Sequence, residues 1–550
     1  MQNDPFNLVE ILEHAARFHS QVEVVTRLVE DGAIHRSSYG EVAARARQLA
    51  NALTRLGVQV GDRIGTLGWN THRHLESWYA ISGQGAICHT INPRLFAEQI
   101  EFIVNHAEDR ILLIDLPFVP LLEELADRLP TVERYIVLTD DEHMPQTGLK
   151  NAVAYESLIA DEPADYDWPT LAHETPAGLC YTSGTTGNPK GVQYTHRSNL
   201  LHAYAAATPD AAGISSSDTV LMVVPMFHAN SWGLAYSCPM TGARLVLPGS
   251  RLDGAGIYEL LESERITFSA AVPTVWNMLL PYLQENDLQL PHLKEVLIGG
   301  SAVPRHLIEC FDHDYGVTIV HAWGMTELSP LGTSCRLKAG MQDWPYSEQV
   351  DVRVKQGTPI FGCAMKIVDD EGKQLPQDGR TVGRLLVKGP WVVRRYYRDN
   401  QDAVDEDGWF DTGDIANIDQ LGYMQITDRA KDLIKSGGEW ISSVDLENEA
   451  MGHSDVSVAA VIGVAHPKWE ERPLLVVKRL ESSKLSKDDM LNYLSDKVAR
   501  WWLPDDVIFV DDIPMTATGK ISKLRLREQL ADYSLPASQE KLRSSGSDQD

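Results

Sequence analysis

Long apolar runs are missing from this chain: no stretch reaches the roughly 20 residues that a membrane-spanning helix needs. Its first residues, MQNDPFNLVEILEHAARF, carry early acids and lack the uninterrupted apolar core of a signal peptide. Cysteine is sparse, with six in 550 residues, and no two form a Cys-x-x-Cys pair. That spacing offers no zinc motif, fits thiols kept reduced, and points to a cytoplasmic protein. Positive charge is also in short supply. Forty-nine Lys and Arg face 77 Asp and Glu, and the formal charge of -28 argues against nucleic acid or an anionic membrane as the principal partner. An anionic small molecule would have to be met by cations placed locally.

What is present is ample apolar material, 43% of residues, for the cores of at least two domains. Leu8, Ile11, Leu12 and Ala15 fall at helical spacing. Ser38 and Glu41 form a capping box ahead of Val42, Leu49, Leu53 and Leu56, and Gly57 stands at the C-terminal cap position. Helical patterns alternate with short apolar runs through the first 420 or so residues, the signature of α/β layers with mostly parallel strands. The segment LKEVLIGGSAVPRHLIECFDHDYGVTIVHAWGMTE reads as strand, glycine turn, helix and strand, with Pro304 early in the helix and Gly316 after it. Two parallel strands joined this way bring Gly299 to Ser301 and Trp323 to Glu327 to one carboxyl edge, where open α/β sheets bind ligands.

The texture changes near Asp428. A charged, glycine-containing stretch, ITDRAKDLIKSGGEW, leads into what reads as a small α+β module, and the end, SLPASQEKLRSSGSDQD, is polar. The expected domains are therefore 1–428, 429–532 and a disordered tail over 533–550.

The stretch YTSGTTGNPKG gathers Thr182, Ser183, Thr185 and Thr186 around Gly184 and Gly187 and ends near Lys190. Glycine lets backbone N–H groups approach an anion, hydroxyls add donors, and an ammonium supplies compact charge. It is not a Walker A loop, because Pro189 stands where the second glycine is required and Gly191, not Ser or Thr, follows Lys190. A phosphate cradle and an ordinary polar turn both fit this composition.

Five stretches, YTSGTTGNPKG, WGMTE, GWFDTGD, ITDRAKDLIKSGGEWI and MTATGK, together resemble the adenylate-forming superfamily of acyl-CoA synthetases, peptide-synthetase adenylation domains and firefly-type luciferases. GGEWISSVDLEN and HPKWEERPL bring the resemblance closest to bacterial medium- and long-chain fatty acyl-CoA ligases. The resemblance implies a large α/β body of layered sheets with a small mobile α+β domain, and a two-step reaction. A carboxylate attacks the α-phosphate of ATP to give acyl-adenylate and pyrophosphate, then coenzyme A displaces AMP. It further implies that the loop Thr182 to Lys190 holds the β- and γ-phosphates, that Gly300, Ser301, Ala302, Gly324 and Met325 belong to the ATP site, that Thr326 contacts the α-phosphate and that Glu327 binds Mg2+. Asp414 and Arg429 would hold the ribose. Trp323 stands where tyrosine is usual beside adenine. Lys520 would reach in from the small domain to the reacting oxygens, Lys431 would be the pivot, and Gly437, Gly438, Glu439 and Trp440 would line the coenzyme A path.

In VPMFHANSWGL, amino-acid-activating relatives place an aspartate where this chain has His228, which disfavours an amino acid substrate. By the same resemblance His228 and Trp232 lie at the acyl entrance, with Trp232 either gating it or packing. Medium-chain, long-chain and short sulfur-containing acids such as methylthiopropionate all stay open, as does loading of a carrier protein. A homodimer is the assembly expected from the fatty-acyl relatives.

Overall fold

The computed structural model describes residues 6–182, 189–429, 431–436, 439–480, 483–516 and 520–536, with the backbone alone at 439 and 440. The capping box forms as read. Ser38 Oγ accepts from Glu41 N and Glu41 Oε2 accepts from Ser38 N at 2.8 Å, starting helix Tyr39–Arg55, while Gly57 takes a φ of +77° beyond its end.

Two large sheets build most of the body. One has seven strands in the order Val153–Ala154, Arg134–Val137, Ile111–Ile114, Arg63–Leu67, Ile87–Thr90, Pro176–Tyr181 and Gly191–Thr195; only its last pair is antiparallel. The other has nine, ordered Thr358–Pro359, Leu331–Ser334, Thr318–Gly324, Glu295–Ile298, Phe268–Ala271, Thr219–Met222, Arg244–Leu247, Glu23–Arg27 and Ile34–Ser38. Its five central pairings, from Thr318–Gly324 across to Glu23–Arg27, are all parallel.

Between the sheets lies helix His72–Gly83, buried along its whole length and touching strands of both. Its sequence, HRHLESWYAISG, is polar for such a place, so each polar group needs a partner. Glu76 takes Arg45 Nε at 2.8 Å and the Tyr155 hydroxyl at 2.7 Å, His74 Nδ1 meets the Trp69 carbonyl at 2.9 Å, and Trp78 Nε1 donates to His74 Nε2 at 3.2 Å.

The expectation of mostly parallel strands fails after residue 360. A four-stranded sheet, Ala364–Val368, Gly383–Lys388, Phe410–Ile418 and Met424–Arg429, is antiparallel throughout. No helix joins its strands: irregular segments 369–382 and 389–409 and the short turn 419–423 do, without the helical crossover that parallel neighbours usually need. A last sheet follows, with Glu439–Ile441, Ile434–Ser436, Glu470–Arg479 and Val456–His466 in order and Asp506–Phe509 beside Glu470–Arg479. Its core, including Ile434, Leu446, Val461, Leu475 and Met490, is separate from those of the body. Chain membership thus passes from one sheet to the next between Arg429 and Ile434.

Two expectations need correction. Pro304 caps helix Arg305–Tyr315 from outside rather than opening it. The tail does not begin at 533: Leu535 is fully buried and the Tyr533 hydroxyl bonds Asp506, because these residues still cover the last sheet's apolar face. Residues 537–550 lie outside the described chain.

Candidate active site

Strands Glu295–Ile298 and Thr318–Gly324 pair in parallel, with Ile298 opposite His321, so the segments after them emerge side by side. Gly300 turns the first away with a φ of +89°, a conformation that costs glycine nothing. In the second, Trp323 and Gly324 stay in the sheet, pairing with Thr333 and Leu331 across a bulge, and only then does the chain turn to place Thr326 and Glu327.

Trp323 is buried, and its six-membered ring lies so close over Gly332 that a Cβ there would come within 2.5 Å. Its indole Nε1 donates to Asp414 Oδ2 at 3.0 Å, and Arg429 Nε meets Asp414 Oδ1 at 2.7 Å. Asp414 sits on strand Phe410–Ile418 directly opposite Arg429 on its neighbour, which is why the pair meets. Burial raises the Asp414 carboxyl pKa, against the pull of Arg429, Trp323 and Lys520.

Thr326 and Glu327 are both nearly buried, at 6% and 8% exposure. The Thr326 carbonyl accepts from the Tyr194 hydroxyl at 2.8 Å, and the Glu327 carbonyl from Val393 N at 2.7 Å. Among the described residues no cation makes an ion pair with the Glu327 carboxylate; its Oε1 accepts instead from the Tyr396 hydroxyl at 2.8 Å. Burial raises the Glu327 pKa, opposed by that hydrogen bond, Arg429 and Lys190.

Of the glycine- and threonine-rich loop, the stems are described. Tyr181 pairs with Gly191, Thr182 N donates to the Lys190 carbonyl at 2.9 Å, and Lys190 N donates to Thr182 Oγ1 at 3.2 Å. The Lys190 ammonium stands 4.7 Å from the centre of the Tyr396 ring. Ser183, Gly184, Thr185, Thr186 and Gly187 lie outside the described residues, as do Gly437 and Gly438. Glu439 and Trp440 are fixed as backbone of strand Glu439–Ile441, and Lys431 lies in the turn before Ile434–Ser436.

Lys520 belongs to the last domain yet reaches this edge. A Cβ added at Gly300 would stand 3.4 Å from Lys520 Cε and 4.0 Å from its Nζ. Burial and the neighbouring Arg429 lower its pKa to about 8, with Asp414 and Glu327 pulling the other way. Ser301 and Ala302 follow Gly300 in the chain, and Met325 precedes Thr326.

His228 and Trp232 come from the loop after strand Thr219–Met222, on the same edge. Burial, with a smaller push from Lys520, lowers the His228 pKa to about 3, so the ring is neutral at pH 7. Ala229, Asn230, Ser231 and Trp232 take φ values of 42°, 54°, 50° and 52°. Four consecutive left-handed L-residues cost on the order of 1–2 kcal/mol each. Asn230 Nδ2 donating to Asn199 at 2.9 Å and Ser231 Oγ donating to Val224 O at 3.0 Å hold the turn. The indole of Trp232 points at Gly299, its Cη2 lying 3.3 Å from where a Cβ there would stand.

Tyr194 and Tyr396 were not anticipated from sequence. Tyr194 alternates with the polar Gln193 and Thr195 in an ordinary strand, and WVVRRYYR lies between recognisable motifs without forming one.

Residues 12–397 match the family described as AMP-binding enzyme, and residues 445–520 match the AMP-binding enzyme C-terminal domain. The chain is 47% identical over 532 residues to a 3-methylmercaptopropionyl-CoA ligase of Ruegeria lacuscaerulensis, covering 97% of this chain and 98% of the relative. It is also 47% identical over 538 residues to a medium-chain-fatty-acid–CoA ligase of Ectopseudomonas oleovorans, covering 98% of each. The crystal structure of the anthranilate CoA ligase AuaEII in complex with anthranoyl-AMP superposes with a TM-score of 0.86 at 26% identity, over 97% of this chain and 99% of that one. With the two-part architecture in agreement, the chain belongs to the AMP-binding, adenylate-forming enzymes and is an AMP-forming acid–thiol ligase that makes acyl-CoA through an acyl-adenylate.

Proposed function

We propose that the acid this ligase activates is a fatty acid and that the residues gathered at the carboxyl edge divide the work as follows. Thr182 to Lys190 receive the β- and γ-phosphates, Thr326 the α-phosphate, Asp414 and Arg429 the ribose, and Trp323 the adenine, with Gly300, Ser301, Ala302, Gly324 and Met325 shaping the cleft around them. Lys520 places its ammonium beside the oxygens on which negative charge grows as the carboxylate attacks phosphorus. Such preorganised charge is the main source of rate in phosphoryl chemistry. The observation carrying this reading is the approach of Lys520, from the other domain, to Gly300 and into the field of Asp414 and Glu327.

Glu327 fits Mg2+: it is a buried carboxylate without an ion-pair partner among the described residues, and this ion takes one or two carboxylates alongside phosphate oxygens and water. When bound, the ion would neutralise phosphate charge. Glu327 would offer its oxygens to the ion, and Lys190 would approach the phosphates from the loop stem. After adenylation the small domain, residues 429–532, turns about Lys431 and withdraws Lys520. Coenzyme A then enters past Gly437, Gly438, Glu439 and Trp440.

At the acyl end, a neutral His228 and the indole of Trp232 supply no charge to pair with a second polar group on the acid, which suits an alkyl chain. The strained turn beneath Trp232 suits a side chain that shifts when ATP binds, since strain lowers the cost of leaving one arrangement. Equal identity to a 3-methylmercaptopropionyl-CoA ligase supports a second reading, a short sulfur-containing acid. Carboxylic acids of graded length, with and without a thioether, each scored by ATP-, Mg2+- and CoA-dependent pyrophosphate release, separate the two. A preference for methylthiopropionate over every alkanoate would overturn the fatty-acid assignment.

A cytoplasmic location belongs to the same reading, supported by six free thiols, five of them buried. So does a homodimer, which analytical ultracentrifugation tests.

A further inference from the structure

The Tyr396 side chain stands between two groups of opposite charge that the cleft needs separate. Its hydroxyl donates to Glu327 Oε1 at 2.8 Å, and its ring face receives the Lys190 ammonium 4.7 Å from the centroid. The backbone around it is stitched to both sides. Val393 N donates to the Glu327 carbonyl at 2.7 Å, and Tyr397 N donates to the Gly191 carbonyl, also at 2.7 Å. Segment 393–397 therefore spans from the Glu327 turn to the stem of the loop that carries Lys190.

Glu327 is buried while Lys190 is exposed, and an ammonium and a carboxylate flanking one edge attract; a direct pair would cover the space a triphosphate must occupy. Among the described residues neither Lys190 nor Glu327 makes an ion pair. We propose that Tyr396 is a positioning residue that keeps the phosphate site open, by satisfying Glu327 through its hydroxyl and Lys190 through its ring so that the two do not collapse onto each other. This role rests on the nucleotide reading above.

The two contacts can be removed separately. Tyr396→Phe keeps the ring and loses the hydroxyl, whereas Tyr396→Leu loses both. Calorimetric titration with ATP in EDTA and in excess Mg2+ reads their consequences without turnover. For Tyr396→Phe, metal-free ATP affinity should stay within about twofold of the parent, while the gain on adding Mg2+ falls roughly tenfold, the usual effect of losing a hydrogen bond to a charged group. For Tyr396→Leu, metal-free affinity should itself fall roughly tenfold, because Lys190 is then drawn to Glu327.

Adding Glu327→Gln to Tyr396→Leu should restore metal-free affinity, since the amide no longer captures Lys190. A ring that merely filled space would give no such rescue. Parent-like titrations of both single variants, or no recovery in a double variant that melts like the parent, overturn the role. Should the leucine variant not fold, an unchanged Mg2+ gain in Tyr396→Phe overturns it alone. Failure of the parent protein to bind ATP would instead bring down the nucleotide reading, and this role with it.

Discussion

Trp323 Nε1 and Asp414 Oδ2 are joined by a 3.0 Å hydrogen bond across two different sheets, so the residue proposed to face adenine also holds the carboxylate proposed to face ribose. Trp323→Phe keeps an aromatic face and removes that donor. The KM for ATP should rise roughly tenfold with kcat changed much less, because a hydrogen bond to a buried carboxylate is worth about 1.5–3 kcal/mol. Initial rates at varied ATP check this; an unchanged KM would mean that Arg429 orients Asp414 unaided.

Lys520→Ala separates the two half-reactions. Adenylation, followed as acid-dependent ATP–pyrophosphate exchange, should fall by roughly a hundredfold or more, as when an oxyanion-stabilising group is removed. Thioester formation from supplied acyl-adenylate should persist within a few-fold. Retained exchange would contradict the assignment.

The lowered pKa of Lys520 sets a pH dependence whose sign can be worked out. Its value of about 8 lies below the ordinary 10.5, so between those limits the empty closed site binds fewer protons than an open one. Raising pH through that window favours closure of the empty site, and below about pH 8 the buried ammonium opposes it in full. The role proposed for Lys520 needs the ammonium. The adenylation kcat/KM for ATP should therefore decline above about pH 8, and kcat should decline only at higher pH because bound phosphates stabilise the cation. In Lys520→Arg the alkaline limb should vanish from whatever activity remains, since guanidinium does not titrate there. Its persistence would assign the limb to another group.

Asp428 accepts from Ser443 N at 2.9 Å and from Ser443 Oγ at 2.6 Å, tying the end of the four-stranded sheet to the first helix of the last domain. Lys523 supports the joint, meeting Glu447 at 2.9 Å and contacting the same hydroxyl. The turning proposed about Lys431 would have to break it. Asp428→Ala should slow pyrophosphate exchange about tenfold while transfer from supplied acyl-adenylate to coenzyme A holds or quickens, in keeping with loss of a charged hydrogen bond that favours one pose. Equal slowing of both steps would point to simple loss of structure.

Much of the fold could be read along the chain because its signals are local. The capping box at Ser38 and Glu41, the helix from Val9 to Phe18 and the crossover from Glu295 to Gly324 depend on neighbours within a few residues. Helix His72–Gly83 is different: nothing in HRHLESWYAISG announces burial on every side, and its buried Glu76 is satisfied by Arg45 and Tyr155, which arrive from elsewhere in the chain. The antiparallel sheet after residue 360 was hidden for a related reason, since pairing direction follows from how strands are joined in space.

By itself the sequence determined which chemistry was on offer: a glycine- and hydroxyl-rich loop ending in Lys190, a Thr326-Glu327 pair beyond a crossover, and a lysine late in the chain. Residue type and short spacing carry that information, because they fix which charges, donors and turns are available. Only the tertiary structure decided that Trp323 holds Asp414, that Tyr396 lies between Lys190 and Glu327, and that Lys520 crosses to Gly300 with its pKa drawn down to about 8. Those relations join residues tens to hundreds of positions apart, and their energies depend on burial and distance that exist only once the sheets have packed.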